Sequence, residues 1–282
     1  MSAPEFDLQA HSTRSDGALE PAAVVAAAAA AGVRLLALTD HDTVDGVEEA
    51  LAVGREHGVD VVPAIEVSAV QSGAAADVHV LGYRVDHVSP ELHGALEGWQ
   101  ADRALRIERM ADRLEELGFE LDRTELEARR GAGEPLGRPH LAAAVRDRPD
   151  GFFERYLVAG APAFVPRTTP SVPEAIAAIH AAGGVAVWAH PFWDVSEPEA
   201  VLATLERFVA HGLDGVEVFY TTHTEAQVGL LAERCTRDGL LQTGSADFHG
   251  PGHEQFDRFR AFELYGRQPV LGPIAPGWIQ AP

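Results

Sequence analysis

The sequence predicts an α/β protein, a seven-stranded barrel interrupted by a helical insertion, and three observations predict it. Short apolar runs recur along the chain, most of them separated by amphipathic stretches. Residues of metal-ligand type fall at or just past the carboxyl ends of those runs. The rhythm then breaks between residue 89 and about residue 165.

The first run, FDLQAH (6–11), precedes LEPAAVVAAAAAAGV, where Pro21 suits a helix start, the alanine run at 22–31 suits a small-residue helix packed on a sheet, and Gly32 is a stop. RLLALTDH (34–41) reads as the second strand, VDGVEEALAVGREHG (44–58) as the next helix, and VDVVPAIE (59–66) and DVHVLGY (77–83) as strands three and four. Further on, SVPEAIAAIHAAG (171–183) and EAVLATLERFVAHG (199–212) alternate with GVAVWAH (184–190), DGVEVF (214–219) and LLQTGSADFH (240–249). A doubly wound sheet would share this alternation. The ligand positions favour a barrel, because His11, His41, Glu66, His190 and Asp247 each end a candidate strand, and the loops at the C-terminal mouth of a barrel converge.

Between the fourth and fifth strands, SPELHGALEGWQADRALRIERMADRLEELGF is one long helical pattern, followed by TELEARRG, RPHLAAAVRDR and GFFERYLVAG. The expected organisation is a barrel domain from 1–88 and 166–282 with a helical cap subdomain at 89–165.

Composition narrows the function. A chain of 282 residues can bury a sizeable core. The formal charge of -21 argues against tracking a nucleic-acid backbone, so no stable duplex binding is expected, while a small anion held through cations is compatible. A single cysteine, Cys235, excludes an intramolecular disulfide and suits a reducing cytosol. No run has the pattern of a leader or the roughly 18 uninterrupted apolar residues of a membrane span. A soluble cytoplasmic protein without membrane contact is expected.

The chemistry concentrates in a few segments. QAHSTRSDG carries His11 and Asp16, TDHDT carries Asp40, His41 and Asp42, AIEVS carries Glu66, DVHV carries His79, WAHPF carries His190, and GSADFHG carries Asp247 and His249. Imidazoles mixed with carboxylates, without thiolates, suit a hydrolytic site for manganese, iron, zinc or a similar ion, and more than four such residues imply more than one ion. A lone histidine at a strand end is ordinarily a hydrogen-bonded core or loop residue. Packing does not require five separate strand ends to finish in ligand types. Asp42 reads equally as the N-cap of the helix that follows, and Asp40 as an outer partner that orients an imidazole.

Together DLQAHSTRSDG, ALTDHDT, PAIEVSA, VHVLGY, GRPHLA, VPR, WAHP, VEVF and GSADFHG resemble the PHP (polymerase and histidinol phosphatase) family of metal-dependent phosphoesterases, in particular its bacterial nucleotide-phosphatase and RNase AM-like branch. The resemblance spans nearly the whole chain. It implies a distorted (β/α)7 barrel with two or three divalent ions at its C-terminal mouth, manganese first and magnesium, iron or zinc as alternatives. It further implies His11, Glu66 and Asp247 on a first metal, Glu66, His79 and His190 on a second, and Asp16, His41 and His249 on a third. Asp247, His249, Glu66 and His11 would form the catalytic group. Relatives usually read His-x-His where this chain reads Gln9-Ala10-His11, so Gln9 offers at most a weak oxygen ligand, and a weakened, exchangeable first site is expected.

Clustered divalent ions bind phosphate oxygens and lower the pKa of a bridging water, so the expected reaction is phosphoester hydrolysis without a covalent nucleophile. Ser12, Ser68 and Ser245 sit in no G-x-S-x-G elbow. Arg138 and His140 of GRPH, Arg167 of VPR and His223 of YTTHTEAQ are candidate substrate contacts; Arg138 could equally pair with an acid and His140 cap a helix. Members of the resembling branch act either on nucleoside 3',5'-bisphosphates and monophosphates or on RNA from the 5' end, and the acidity of this chain favours the small nucleotide. The alternatives are a 5'-3' exoribonuclease, and a non-catalytic metal and nucleotide binder produced by the change at Gln9. An amide-cleaving barrel would need a candidate carboxylated lysine, and all 22 basic residues here are arginines.

Overall fold

Seven strands form in the order of the apolar runs: β1 (Phe6–Asp7), β2 (Leu35–Leu38), β3 (Asp60–Val70), β4 (Asp77–Tyr83), β5 (Val185–Trp188), β6 (Gly215–Tyr220) and β7 (Leu241–Ser245). The computed structural model describes residues 4–71, 77–132 and 136–278. The sheet order is β1 to β7 without crossing. Leu8 N donates to Gly244 O at 3.2 Å and His11 N to Phe248 O at 2.8 Å, which brings the last strand back to the first and nearly closes the barrel.

Helices α2 (Val47–His57), α7 (Val172–Ala181), α9 (Pro198–Ala210) and α10 (Glu225–Asp238) flank the strands where amphipathic patterning places them, and α1 (Pro21–Ala30) is the small-residue helix, apolar all round. Between α2 and α7 come α3 (Pro90–Glu116), α4 (Thr124–Ala132), α5 (Arg138–Ala144) and α6 (Phe152–Tyr156), and a single-turn α8 (Pro191–Asp194) follows β5. Proline at the first turn and left-handed Gly32 at φ 81° bound α1 as the sequence leads one to expect.

One strand departs from the parallel alternation. β4 runs antiparallel to both β3 and β5, whereas the remaining neighbours are parallel. The six residues between β3 and β4 are too few for a crossover, so the chain can return only in the opposite direction. β3 also runs past Glu66 to Val70. Glu66 nevertheless lies at the rim, because β2 has ended by then and only an isolated bridge pairs His41 with Glu66.

Among the described residues three apolar clusters lie behind this geometry, and two of them share α3. The smallest packs α1 and α2 on β2 and β3 through Val24, Val25, Leu36, Leu38 and Val61. The largest fills the barrel and runs from Phe6 and Tyr83 to Trp188, Phe219 and Cys235, and it includes Leu92 and Leu96 from the first turns of α3. Farther along α3, Ile107, Met110 and Leu114 join Leu126, Leu141, Phe152, Leu157 and Val165 in a separate cluster. A single 27-residue helix therefore serves these two clusters.

Candidate metal centre at the barrel mouth

Each chemical side chain reaches the mouth by a different local route. After β1 the chain turns back on itself: Ser12 O accepts from Gly17 N at 2.9 Å, and a Cβ on Gly17 would lie 2.3 Å from His11 O, so only glycine fits there. The fold-back sets Asp16 beside His11. Asp40 holds this loop by accepting from Ser12 N (2.7 Å), Ser12 Oγ (2.6 Å) and Ser15 Oγ (2.7 Å). Its carboxylate thus takes the amide and hydroxyls of the loop itself and orders the backbone that carries His11 and Asp16, where the sequence suggests an imidazole partner. His190 and Asp247 adopt left-handed φ of 31° and 55°, which turns their side chains back over the strand ends. The antiparallel course of β4 explains His79, which pairs in register with Ser68 near the end of β3 and so comes to the same rim from the start of its own strand.

Donor atoms converge there in three groups, Asp16 with His11, His41 and His249, Glu66 with His41 and His79, and Glu66 with His11 and Asp247, each within 4.8 Å mutually. His11 Nε2 lies 3.1 Å from Glu66 Oε2 and 3.0 Å from Asp247 Oδ1. Glu66 Oε1 lies 2.8 Å from His79 Nδ1 and 3.3 Å from His190 Nε2, and those two nitrogens are 3.3 Å apart, so His190 also closes on Glu66. Asp16 stands 3.8, 3.7 and 3.6 Å from His11 Nδ1, His41 Nε2 and His249 Nε2. Ligands at about 2.1 Å from a shared cation sit roughly 3 to 4 Å from one another. Among the described residues, His11 Nδ1 and His41 Nδ1 are buried without a hydrogen-bond partner, which fits donors meant for a cation better than it fits a closed polar core.

Electrostatics divides the cluster. Burial opposes ionisation of Asp247, but His249 and His11 beside it hold its carboxyl at about 2. Burial likewise resists the charge on Glu66 and Asp16, and the surrounding imidazoles keep both well below the usual carboxylate range. Burial pushes His41 down to about 3, whereas at His190 the Glu66 carboxylate overcomes burial and lifts the ring to about 9. Three carboxylates that stay ionised against imidazoles form a preorganised cation site of oxygen and nitrogen donors.

Gln9 is fully buried in this cluster. Its amide nitrogen donates to Glu66 Oε2 at 3.1 Å, and its oxygen faces Ser245 Oγ at 3.4 Å. An ionised carboxylate only accepts, so the amide must turn its N–H toward Glu66, and the oxygen points away from the donors.

The other sequence candidates divide between the mouth and the interior. Arg138 lines a cleft beside the cluster, its guanidinium 5.6 Å from the Phe153 ring centroid and its Nη1 donating to Leu157 O at 3.5 Å. His140 Nδ1 accepts from Gly137 N at 3.0 Å and so caps α5, and burial pushes its ring down to about 4. Arg167 is buried, with Nη1 3.4 Å from both Asp42 Oδ2 and Ser68 O. His223 is buried too, Nδ1 against Val218 O at 2.9 Å. Asp42 does not cap α2, which begins at Val47 with Gly46 as its N-cap; it accepts from Ser68 N and pairs with Arg103 and Arg167.

Two contributors escape sequence reasoning. Tyr220 donates its hydroxyl to Asp247 Oδ2 at 2.8 Å. Glu217, pushed up to about 8 by burial, accepts from His190 N at 2.9 Å and from Ser245 Oγ at 2.6 Å. The available signal for Glu217 is a lone acid inside the fully buried strand GVEVFY.

Comparison with known proteins agrees with this geometry. The PHP domain model matches residues 7–96. A 3',5'-nucleoside bisphosphate phosphatase from Chromobacterium violaceum is 35% identical over 280 residues, 95% of this chain and 94% of the relative. A 5'-3' exoribonuclease from Haemophilus influenzae is 34% identical over 252 residues, covering 88% and 90%. Among solved structures, a protein from Bifidobacterium adolescentis assigned as a metal-dependent phosphoesterase superposes with a TM-score of 0.78 at 30% identity, covering 89% of each chain. With its barrel, its mouth of carboxylates and imidazoles, and relatives matched along nearly their whole length, the chain belongs to the PHP domain family of metal-dependent phosphoester hydrolases.

Proposed function

We propose that this chain removes a phosphate from a small nucleotide, a nucleoside 3',5'-bisphosphate or monophosphate, with two or three divalent cations, manganese foremost. The observation that carries the reading is the convergence of Asp16, Glu66 and Asp247 with five imidazoles at one rim of a chain of net charge -21. Such a rim attracts cations first and a phosphate only through them. His11, Glu66 and Asp247 would hold one ion, Glu66, His79 and His190 a second, and Asp16, His41 and His249 a third, with Glu66 shared. Bound there, divalent cations supply positive charge to the phosphate oxygens and acidify an attacking water.

The chain's own groups keep that arrangement rigid. Tyr220 fixes one oxygen of Asp247, Glu217 pins the backbone of His190, and the Gln9 amide restrains Glu66. Gln9 leaves the first ion with oxygen donors and one imidazole, which favours manganese or magnesium over zinc. Residues 89–165 would act as a cap subdomain over a barrel made of 1–88 and 166–282, a division supported by the separate apolar cluster of the helical segment. A cytosolic location is consistent with the single, buried, free Cys235, and among the described residues no helix is long and apolar enough to cross a membrane.

A second reading, 5'-3' exoribonuclease, is favoured by the Haemophilus influenzae relative. The discriminating experiment offers nucleoside 3',5'-bisphosphates, monophosphates and short RNA with manganese, magnesium, zinc or iron, beside Asp247→Ala. Release of inorganic phosphate from the bisphosphate without mononucleotides from RNA is expected, and its loss in Asp247→Ala. Mononucleotides from RNA alone would move the assignment to the exoribonuclease, and full activity in the variant would remove Asp247 from the chemistry.

A further inference from the structure

Beside the metal cluster a run of aromatic rings leads outward from the mouth. His249 lies 5.1 Å from His253 and 5.5 Å from Phe256, centroid to centroid, and His253 stacks on Phe256 at 5.1 Å with planes 24° apart. Phe256 in turn contacts Trp193 at 5.6 Å, and Trp193 stands three residues past His190. Trp193 is 47% exposed, whereas Trp188 of β5 is buried against Phe208. A half-exposed indole costs hydrophobic free energy unless something covers it.

The space it faces has the size of a ligand site. A cleft of about 750 Å³ separates Trp193 and Phe256 from the helical segment, whose wall contributes Arg138, Pro149 and Phe153. Sites for small molecules span roughly 300 to 1,000 Å³. Its charged lining is mixed, with Arg138 and Arg148 against Asp150, Glu154 and Glu254, so no run of positive charge tracks a polyphosphate strand and the aromatic wall is left for a planar group.

We infer that Trp193, with Phe256 behind it, is a stacking platform for the nucleobase of the substrate, while the phosphate to be cleaved lies at the metal cluster. The inference rests on the nucleotide reading above and deepens it: what the platform recognises is a flat π-face, so the site takes nucleotides broadly and discriminates against sugar phosphates that lack a base. The Arg138 guanidinium, 5.6 Å from the Phe153 ring, lines the same cleft as the indole and is the group there to meet the sugar or a second phosphate.

The test compares wild type, Trp193→Ala and Trp193→Phe, with metal present, for calorimetric binding of a nucleoside 3',5'-bisphosphate and of ribose 5-phosphate, and measures phosphate release separately. Trp193→Ala is expected to weaken the nucleotide relative to ribose 5-phosphate by roughly 5- to 150-fold, the range for one base–aromatic stack, and Trp193→Phe to recover most of it. A ratio unchanged in Trp193→Ala overturns the platform whether or not phosphate is released. Base-selective binding that depends on Trp193, without phosphate release from any ester, leaves the platform standing and removes the hydrolytic reading instead.

Discussion

Asp42 ties the helical segment to the barrel, and removing its carboxylate tests how much that tie holds. Asp42, Arg103 and Arg167 have side chains only 1%, 8% and 4% exposed. The carboxylate faces Arg103 of α3 and lies 3.4 Å from Arg167 Nη1 on the segment returning to the barrel, while its other oxygen accepts from Ser68 N at 2.8 Å. Burial opposes its charge, yet the two guanidiniums hold its pKa below the ordinary value. In Asp42→Ala both cations stay buried without their carboxylate. Breaking a buried pair in this way costs roughly 3–5 kcal/mol. At about 2–4 °C per kcal/mol, the apparent Tm should fall by roughly 6–20 °C. Differential scanning calorimetry measures it, and 0.5 M salt should change the difference little, since buried pairs are weakly screened. Adding Arg103→Met to Asp42→Ala should restore part of the loss by removing one stranded charge. A Tm within 2 °C of wild type, or strictly additive losses in the double variant, would refute this account.

Three further outcomes follow from other residues. Burial pushes the Cys235 thiol up to about 12, so a disulfide reagent should label the native protein hundreds of times more slowly than the urea-unfolded chain, and rapid native labelling would place the thiol at the surface. Gln9→His adds an imidazole where an amide now donates to Glu66; equilibrium dialysis should show zinc binding tightened by more than the ~10-fold that an outer partner commands, and unchanged stoichiometry and affinity would mean position 9 does not face an ion. Burial raises Asp7 from 3.8 to about 7 in the folded protein, so its contribution is complete below pH 4 and is lost as pH rises through 7, by up to ~4 kcal/mol at about 1.4 kcal/mol per unit. Urea unfolding of metal-free protein at pH 5 and pH 8 should therefore show a smaller decline in Asp7→Asn than in wild type, and equal declines would assign the pH dependence elsewhere.

The strands were legible because a buried β-run is apolar and short, and α2, α7, α9 and α10 because their polar faces recur with the helical period, whereas α1 showed only in its proline start, alanine run and glycine stop. Pattern alone does not carry direction. Nothing in DVHVLGY distinguishes a strand returning antiparallel from one that crosses over, and only the short link before it does, so the route by which His79 reaches the rim had to be seen. His11, His41, Glu66, His190 and Asp247 were readable because ligand-type residues at strand ends break the apolar run that packing prefers. Asp40 and Asp42 read less well: their partners, Ser15 and Arg103 among them, lie 25 and 61 residues away in sequence, and no local spacing announces such pairs. The same holds for Tyr220, whose hydroxyl meets Asp247 across two neighbouring strands, and for Trp193, whose exposure depends on how the helical segment packs and not on its neighbours in sequence.

Phosphate release before and after chelation tests the central claim most directly. Wild-type protein given a nucleoside 3',5'-bisphosphate should release inorganic phosphate, lose that activity when stripped of divalent ions while keeping its circular dichroism spectrum, and regain it when manganese is added. Undiminished phosphate release from protein shown to be metal-free would contradict the account.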